Sequence, residues 1–74
     1  MIRSMNMKLV VGERIKEIRQ ENNLTQSEFG QRLSVSQDTI SLWEKGRAYP
    51  NTEYVIDICK KFDVSADYLL GLVD

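Results

Sequence analysis

Residues 24–46, LTQSEFGQRLSVSQDTISLWEKG, decide the fold, because they contain two short helices with almost nothing between them. Thr25 is a good N-cap for the first helix, and Glu28, three residues later, completes a capping box with it. Phe29 and Leu33 mark the side of this helix that we expect to be buried. The stretch therefore begins with a helix whose start and inward face are both defined.

The second helix of the stretch follows after only Ser34 and Val35, so the two helices must cross at a steep angle. Ser36 is the N-cap of this second helix, which we expect to cover about residues 37–45. Gly46 is suited to end it. The sequence thus predicts two capped helices joined by a tight turn.

Three further helices are predicted around this pair. One precedes it, at about residues 12–22, another begins after Asn51 or Thr52, and a last short one, ADYLLG at residues 66–71, follows its N-cap Ser65. No alternating strand pattern competes with these helical spacings. Helices shorter than about 12 to 15 residues are marginal alone in water, so all five must share one core.

We therefore expect an all-α, compact five-helix domain over residues 11–71, with an N-terminal extension at residues 1–10 and a C-terminal tail at residues 72–74. Its core should consist of apolar residues spaced along one face of each helix or placed in the connections. These residues are Ile15, Ile18, Leu24, Phe29, Leu33, Val35, Ile40, Trp43, Val55, Ile58, Cys59, Phe62, Val64 and Leu69.

The composition is that of a small globular domain: 74 residues, 42% of them hydrophobic and 28% charged. The N-terminal segment is too short and too polar for a signal peptide, and no segment is apolar enough to span a membrane. We therefore expect a cytoplasmic protein with no membrane partner. Cys59 is the single cysteine and cannot form an internal disulfide, so we expect it to fill core space rather than to react.

Several kinds of chemistry are disfavoured by the sequence. It contains no histidine, which removes the commonest general base and metal ligand. Its four glycines, at positions 12, 30, 46 and 71, form none of the phosphate-binding glycine patterns. We expect no enzymatic activity, no metal site and no small-molecule cofactor.

Two capped helices, a tight turn and a polar outward face on the second helix are typical of a helix-turn-helix, whose second helix fits the major groove of DNA. The formal net charge is only −1, but the charges are unevenly distributed. Residues 1–47 hold eight Lys or Arg against six Asp or Glu, whereas residues 48–74 hold two against five. Residues 1–47, which include the helix pair, thus carry a weak excess of positive charge. We therefore expect a double-stranded DNA partner.

Four side chains of the second helix are candidates for reading bases. Gln37, at the first position, can donate and accept together at the N6 and N7 edge of adenine. Asp38 can accept from a cytosine amino group, or it can interact with the helix dipole instead. Ser41 can bond a base or a phosphate, and Leu42 can contact a thymine methyl or pack against the following loop.

Other side chains are candidates for the DNA backbone: Gln26, Ser36, Thr39, Lys45, Arg47 and Tyr49. Gln26 begins the first helix of the pair, where backbone amides and a side-chain amide can hold a phosphate. Lys45 and Arg47 follow the second helix and can equally be solvated surface charges. Tyr49 can donate its hydroxyl to a phosphate or cover the edge of the core.

Residues 11–71 resemble the Cro and lambda-repressor (XRE) type of helix-turn-helix domain, through the landmarks LTQSEF, VSQDTISLWEKG, YPN and VSADYLL. The resemblance implies a five-helix, sequence-specific DNA-binding domain of phage repressors, bacterial regulators and some antitoxins, most of which bind operators as dimers. It assigns a phosphate contact to Gln26 and base reading to Gln37. It also matches Arg19 and Glu44 to a partly buried ion pair between the first and third helices.

Three positions depart from the family pattern. Members usually carry Ala where this chain has Gly30 and Gly where it has Ser34, and Asp63 also stands where Gly is common. Ser34 must either adopt a left-handed conformation, which costs it about 1 kcal/mol more than it costs Gly, or alter the turn. We expect a lower stability with the DNA-binding face intact.

The leading hypothesis is a non-enzymatic transcriptional regulator, a repressor and homodimer that inserts the helix at residues 37–45 into the major groove. Leu72 and Val73 have no evident internal role and are available to meet a two-fold mate. The rival hypothesis is a protein-interaction module, such as an antitoxin-like or adaptor domain, which the acidic pI of about 5.4 favours. Salt-dependent DNA binding separates the two hypotheses.

Overall fold

The computed structural model describes residues 6–73, which form five α-helices and no strand. The helices are α1 (Met7–Glu21), α2 (Gln26–Leu33), α3 (Gln37–Glu44), α4 (Thr52–Phe62) and α5 (Ala66–Leu69). In this arrangement α3 packs against both α1 and α2, while α4 contacts α2 and α5, and α5 also contacts α1. The predicted all-α five-helix architecture is confirmed.

Side-chain caps begin these five helices: Asn6, Thr25, Ser36, Asn51 and Ser65. In each case the side-chain oxygen accepts a hydrogen bond from an amide of the first turn, which would otherwise have no partner inside the helix. The Glu28 carboxylate accepts in return from the Thr25 amide at 2.8 Å. The predicted capping box is therefore present, and it fixes where α2 begins.

The start of α1 was predicted incorrectly. The helix begins at Met7, five residues before the predicted start at Gly12, and Asn6 caps it by accepting from the Lys8 amide at 3.0 Å. The added turn therefore belongs to the folded domain rather than to a separate extension. Residues 1–5 of the predicted N-terminal extension and Asp74 of the predicted C-terminal tail lie outside the described residues.

Two apolar residues of the added turn of α1, Leu9 and Val10, lie against glycines from distant parts of the chain. A Cβ placed on Gly46 would lie 2.6 Å from Leu9 Cδ2, and one placed on Gly71 would lie 2.6 Å from Val10 Cγ1. Both glycines follow helix ends and have positive φ angles. These contacts join residues distant in sequence, so local spacing did not indicate them.

One core lies between the helices, and its buried residues are Val11, Ile15, Ile18, Phe29, Leu33, Ile40, Trp43, Ile58, Phe62 and Leu69. Val11 is the only one of these that the predicted core omitted. The other predicted core residues, Leu24, Val35, Val55, Cys59 and Val64, are partly buried against it. Burial raises the pKa of the Cys59 thiol, which favours the protonated form and fits a packing role.

The residues after α5 are held against α1. Arg14 donates to the Tyr68 carbonyl at 2.6 Å and to the Val73 carbonyl at 3.0 Å, and its guanidinium lies 4.2 Å from the centre of the Tyr68 ring. The Tyr68 hydroxyl donates to the Glu17 carboxylate, which raises the pKa of Tyr68. Leu72 nevertheless remains 68% exposed.

Candidate nucleic-acid interface

The turn between α2 and α3 depends on a serine in a left-handed conformation. Ser34 has φ 62° and ψ 37°, the left-handed conformation that was one of the two alternatives expected for it, and its amide donates to the Gln31 carbonyl. The Val35 amide donates to the Gly30 carbonyl at 2.9 Å. These bonds close the end of α2, and Ser36 then starts α3 by accepting from the Thr39 amide at 3.2 Å.

Gly30 lets this turn approach α2 closely. A Cβ at this position would lie 2.6 Å from the Val35 carbonyl oxygen, a distance that real Cβ atoms do not tolerate. Alanine, which the resemblance makes usual here, would therefore force the turn to move. Gly30 and Ser34 are two parts of one local arrangement, in which the turn lies directly against the helix.

The predicted reading face of α3 points to solvent. Gln37 and Asp38 are exposed, Ser41 is partly exposed and Leu42 is 45% exposed. Within residues 6–73 the side chains of Gln37, Asp38 and Ser41 form no hydrogen bond, so their donors and acceptors are available to a ligand.

The opposite face of α3 is fixed in the protein. Ile40 is fully buried, and Trp43 is buried with its ring centre 5.4 Å from that of Tyr54. On the α1 side, a Cβ at Gly12 would overlap the Trp43 carbonyl oxygen and lie 2.9 Å from the Glu44 carbonyl oxygen. α1 can therefore approach the end of α3 this closely only because residue 12 has no side chain.

This role of Gly12 was not predicted from the sequence. The available signal was a glycine beside an apolar helical stripe, where it costs about 1 kcal/mol relative to alanine and suggests a close approach. The signal did not say which element approaches. That partner, the end of α3, is visible only in the folded chain.

The ion pair expected between Arg19 and Glu44 is present. Arg19 Nε donates to Glu44 Oε2 at 2.7 Å and Nη2 donates to Oε1 at 3.0 Å, while Nη1 donates to the Leu24 carbonyl at 3.0 Å. Only 13% of the Arg19 side chain and 5% of the Glu44 side chain are exposed. The hydrogen bond to Glu44 raises the pKa of Arg19, and the bidentate geometry fixes α3 relative to α1.

Gln26 also contacts this ion pair. Its Nε2 donates to Glu44 Oε1 at 3.1 Å, which holds the partly exposed amide at the start of α2. The amide nitrogen carries two hydrogens, so one remains to donate outward. The carboxylate of Glu44 thus connects three elements: α1 through Arg19, α2 through Gln26 and its own helix α3.

The remaining backbone candidates lie at the two ends of α3. The Ser36 and Thr39 hydroxyls are 3.0 Å apart at its start. Lys45 and Arg47 are exposed just after its end, and Tyr49 is 49% exposed in the loop that follows. About half of Tyr49 is therefore covered, and the Nζ of Lys8 lies 5.7 Å from the centre of its ring.

No role was predicted for Lys8, because residues 1–10 were expected to lie outside the domain. Nothing in the local sequence connects Lys8 with a tyrosine 41 positions later. In the region 6–73 no group of His, Cys, Asp and Glu side chains is arranged to hold a metal ion, and no helix there is long and apolar enough to cross a membrane.

Comparison with known proteins places these features in a family. The family model described as helix-turn-helix matches residues 15–69. The chain therefore belongs to the helix-turn-helix family, which confirms the resemblance to the Cro and lambda-repressor type. This is a family of DNA-binding regulators rather than of enzymes.

Among its relatives, the chain is 43% identical over 59 residues to the transcriptional activator BcrR of Enterococcus faecalis, covering 80% of the chain and 29% of BcrR. It is 38% identical over 66 residues to the repressor protein C2 of Salmonella phage P22, covering 89% of the chain and 30% of C2. The antitoxin PezA of Streptococcus pneumoniae is 36% identical over 62 residues, which are 84% of the chain and 39% of PezA. The chain thus spans well under half the length of these three relatives.

Solved structures agree with this assignment. The P22 c2 repressor in complex with synthetic operator 9T superimposes with a TM-score of 0.77 at 36% sequence identity, over 82% of this chain and 92% of that one. The LexA repressor of Eubacterium rectale gives a TM-score of 0.82 at 23% identity, over 93% and 73% of the two chains, and supports the fold alone.

Proposed function

We propose that this protein is a sequence-specific DNA-binding regulator of transcription that inserts α3 into the major groove. The observation that carries the proposal is the division of α3 into two faces. Among residues 6–73, the side chains of Gln37 and Asp38 face solvent and form no hydrogen bond, while Ile40 and Trp43 are buried in the core on the other side. A helix held this firmly presents base-reading groups at a defined angle, which sequence-specific recognition requires.

Within this proposal the side chains divide between base and backbone contacts. Gln37, Asp38, Ser41 and Leu42 read base edges from the first turns of α3. The backbone contacts come from Gln26, Ser36, Thr39, Lys45, Arg47 and Tyr49, which surround that face. The likeness to a repressor solved with its operator supports a DNA partner of this kind.

We propose repression as the mode of regulation and the cytoplasm as its place. A domain that occupies an operator overlapping a promoter blocks transcription by exclusion, which requires no further activity. The relative named repressor protein C2 supports this mode. A reporter placed behind the selected operator should lose expression when the protein is produced.

We also propose that the protein binds as a homodimer. Leu72 and Val73 are 68% and 51% exposed at the end of the described chain, although Arg14 holds the Val73 carbonyl in place. Two ordered apolar side chains facing solvent suit contact with a second copy. A two-fold dimer should recognise half-sites about 34 to 36 Å apart, centre to centre.

Selection of bound sites from random duplex DNA, followed by salt titration on the selected site, tests the DNA-binding function. We expect a defined motif and a steep fall of log affinity with log salt, with a slope of about −0.9 for each phosphate contacted. A slope near zero and no enriched motif would contradict the proposal. The alternative, a protein-interaction module, predicts that result, and the antitoxin relative gives it no better support than DNA binding receives.

A further inference from the structure

The first turn of α1 lies beside the loop that carries the predicted backbone contacts. Leu9 packs on Gly46, the residue that follows the end of α3, as the 2.6 Å approach to a Cβ there shows. Lys8 is exposed, and its Nζ lies 5.7 Å from the centre of the Tyr49 ring. A cation is therefore held over the half-exposed tyrosine of this loop, at a separation typical of a cation–π contact.

The charge of Lys8 is in an unfavourable place for helix stability. It lies in the first turn of α1, where the helix dipole is positive and an acidic residue would be favoured, and that turn contains no acidic residue. Within residues 6–73, Lys8 forms no ion pair with a carboxylate. Within residues 6–73, the charge of Lys8 therefore neither stabilises the helix dipole nor forms an ion pair.

We propose that Lys8 binds the DNA backbone, donating to a phosphate oxygen beside the phosphate contacts of Arg47 and Tyr49. The inference rests on the proposed function, because it extends the same interface to α1. The ring of Tyr49 restrains the ammonium group without accepting any of its hydrogens in a strong bond, so the three N–H donors remain free for phosphate oxygens. The interface then runs without interruption from α3 through the loop to the start of α1.

A phosphate contact has a distinct signature, which is a change of salt dependence without a change of sequence preference. Removing one contact should reduce the magnitude of the log–log salt slope by about 0.9. Affinity should then fall about fifteenfold at 50 mM salt and about fourfold at 200 mM. The loss should be the same for the selected operator and for a scrambled duplex, since a phosphate carries no base identity.

The test compares the full chain with Lys8→Gln, Lys8→Met and Lys8→Arg, using anisotropy of a labelled operator duplex across this salt range. Lys60→Gln is the matched control, because Lys60 is exposed at the C-terminal end of α4 and in the acidic half of the chain. Both neutral variants should lose about 0.9 of slope, whereas Lys8→Arg and Lys60→Gln should keep the wild-type slope. Thermal melts confirm that each variant is folded.

Failure of the Lys8 inference and failure of the proposed function would give different results. If the wild-type chain binds with a steep slope and both neutral Lys8 variants keep that slope, Lys8 is only a surface residue, and the inference is wrong while the proposed function stands. If the wild-type chain itself shows no salt-dependent binding, the proposed function fails and the inference with it. Lys8→Met also tests a purely structural role, because it keeps an unbranched aliphatic side chain at this position and removes the charge.

Discussion

At the turn between α2 and α3, Ser34 occupies a backbone conformation that glycine adopts with less strain. We expect Ser34→Gly to raise the free energy of unfolding by up to about 1 kcal/mol, because relief of strain exceeds the entropy that glycine adds to the unfolded chain. Urea denaturation measures the change. Ser27→Gly is the control: this exposed serine of α2 has helical geometry, so the same substitution should lower stability. Equal losses at both positions would contradict the strain at Ser34.

The carboxylate of Glu44 joins α3 to α1 and α2, so a substitution at this residue should affect stability. Glu44→Gln leaves the Arg19 guanidinium largely buried with no charged partner, and we expect a loss of about 2 kcal/mol in the free energy of unfolding. Glu13→Gln removes an exposed carboxylate from α1 and should change stability by less than about 0.5 kcal/mol. A Glu44→Gln variant as stable as the control would show that the pair does not hold α3 to α1.

Between elements, the crossing of α1 and α3 is set by the absence of a side chain at residue 12. Gly12→Ala should improve helix propensity by about 1 kcal/mol in an isolated helix, but here the new methyl meets two carbonyl oxygens. We expect a net loss of about 1 to 3 kcal/mol from overpacking, together with weaker DNA binding as α3 is displaced. Thermal unfolding and operator affinity measure the two effects. A more stable variant would mean that the close approach is not required.

Local chemistry explains why most elements of the fold could be predicted from the sequence. The caps Thr25 and Ser36 and the apolar spacing of α4 are local features, and the structure contains each of them. The start of α1 was not predictable in this way, because Leu9 and Val10 are stabilised by glycines that come 37 and 61 residues later. The same applies to Lys8, whose contact with Tyr49 exists only after folding.

In the candidate interface, the exposure of side chains was predictable from the sequence, but the hydrogen bonds that join one helix to another were not. The outward position of Gln37 follows from the helix period and the buried side of α3. The bond from Gln26 to Glu44 does not follow from any spacing, since it joins the start of α2 to the end of α3 across the crossing of the two helices. The roles of these residues toward DNA remain predictions.

For the whole molecule, we predict that two copies assemble on DNA through the exposed apolar residues after α5. Leu72→Glu places a charge on the exposed apolar end and should weaken binding to a two-half-site operator at least tenfold, while leaving the thermal stability of the monomer nearly unchanged. Ile56→Glu, on the exposed side of α4, is the control and should bind like the wild-type chain. Sedimentation should show a smaller dimer fraction for Leu72→Glu alone. Equal operator binding by both variants would rule out a dimer contact at Leu72.

If α3 reads base edges, Gln37→Ala should change the sequence preference of the protein. Binding of the wild-type chain and the variant should be measured on the selected operator and on duplexes with each base pair replaced in turn. We expect the variant to lose about 1 to 3 kcal/mol on the selected operator, to discriminate no longer at one base pair in each half-site and to keep its salt slope. An unchanged preference at every base pair would show that Gln37 does not read the DNA sequence.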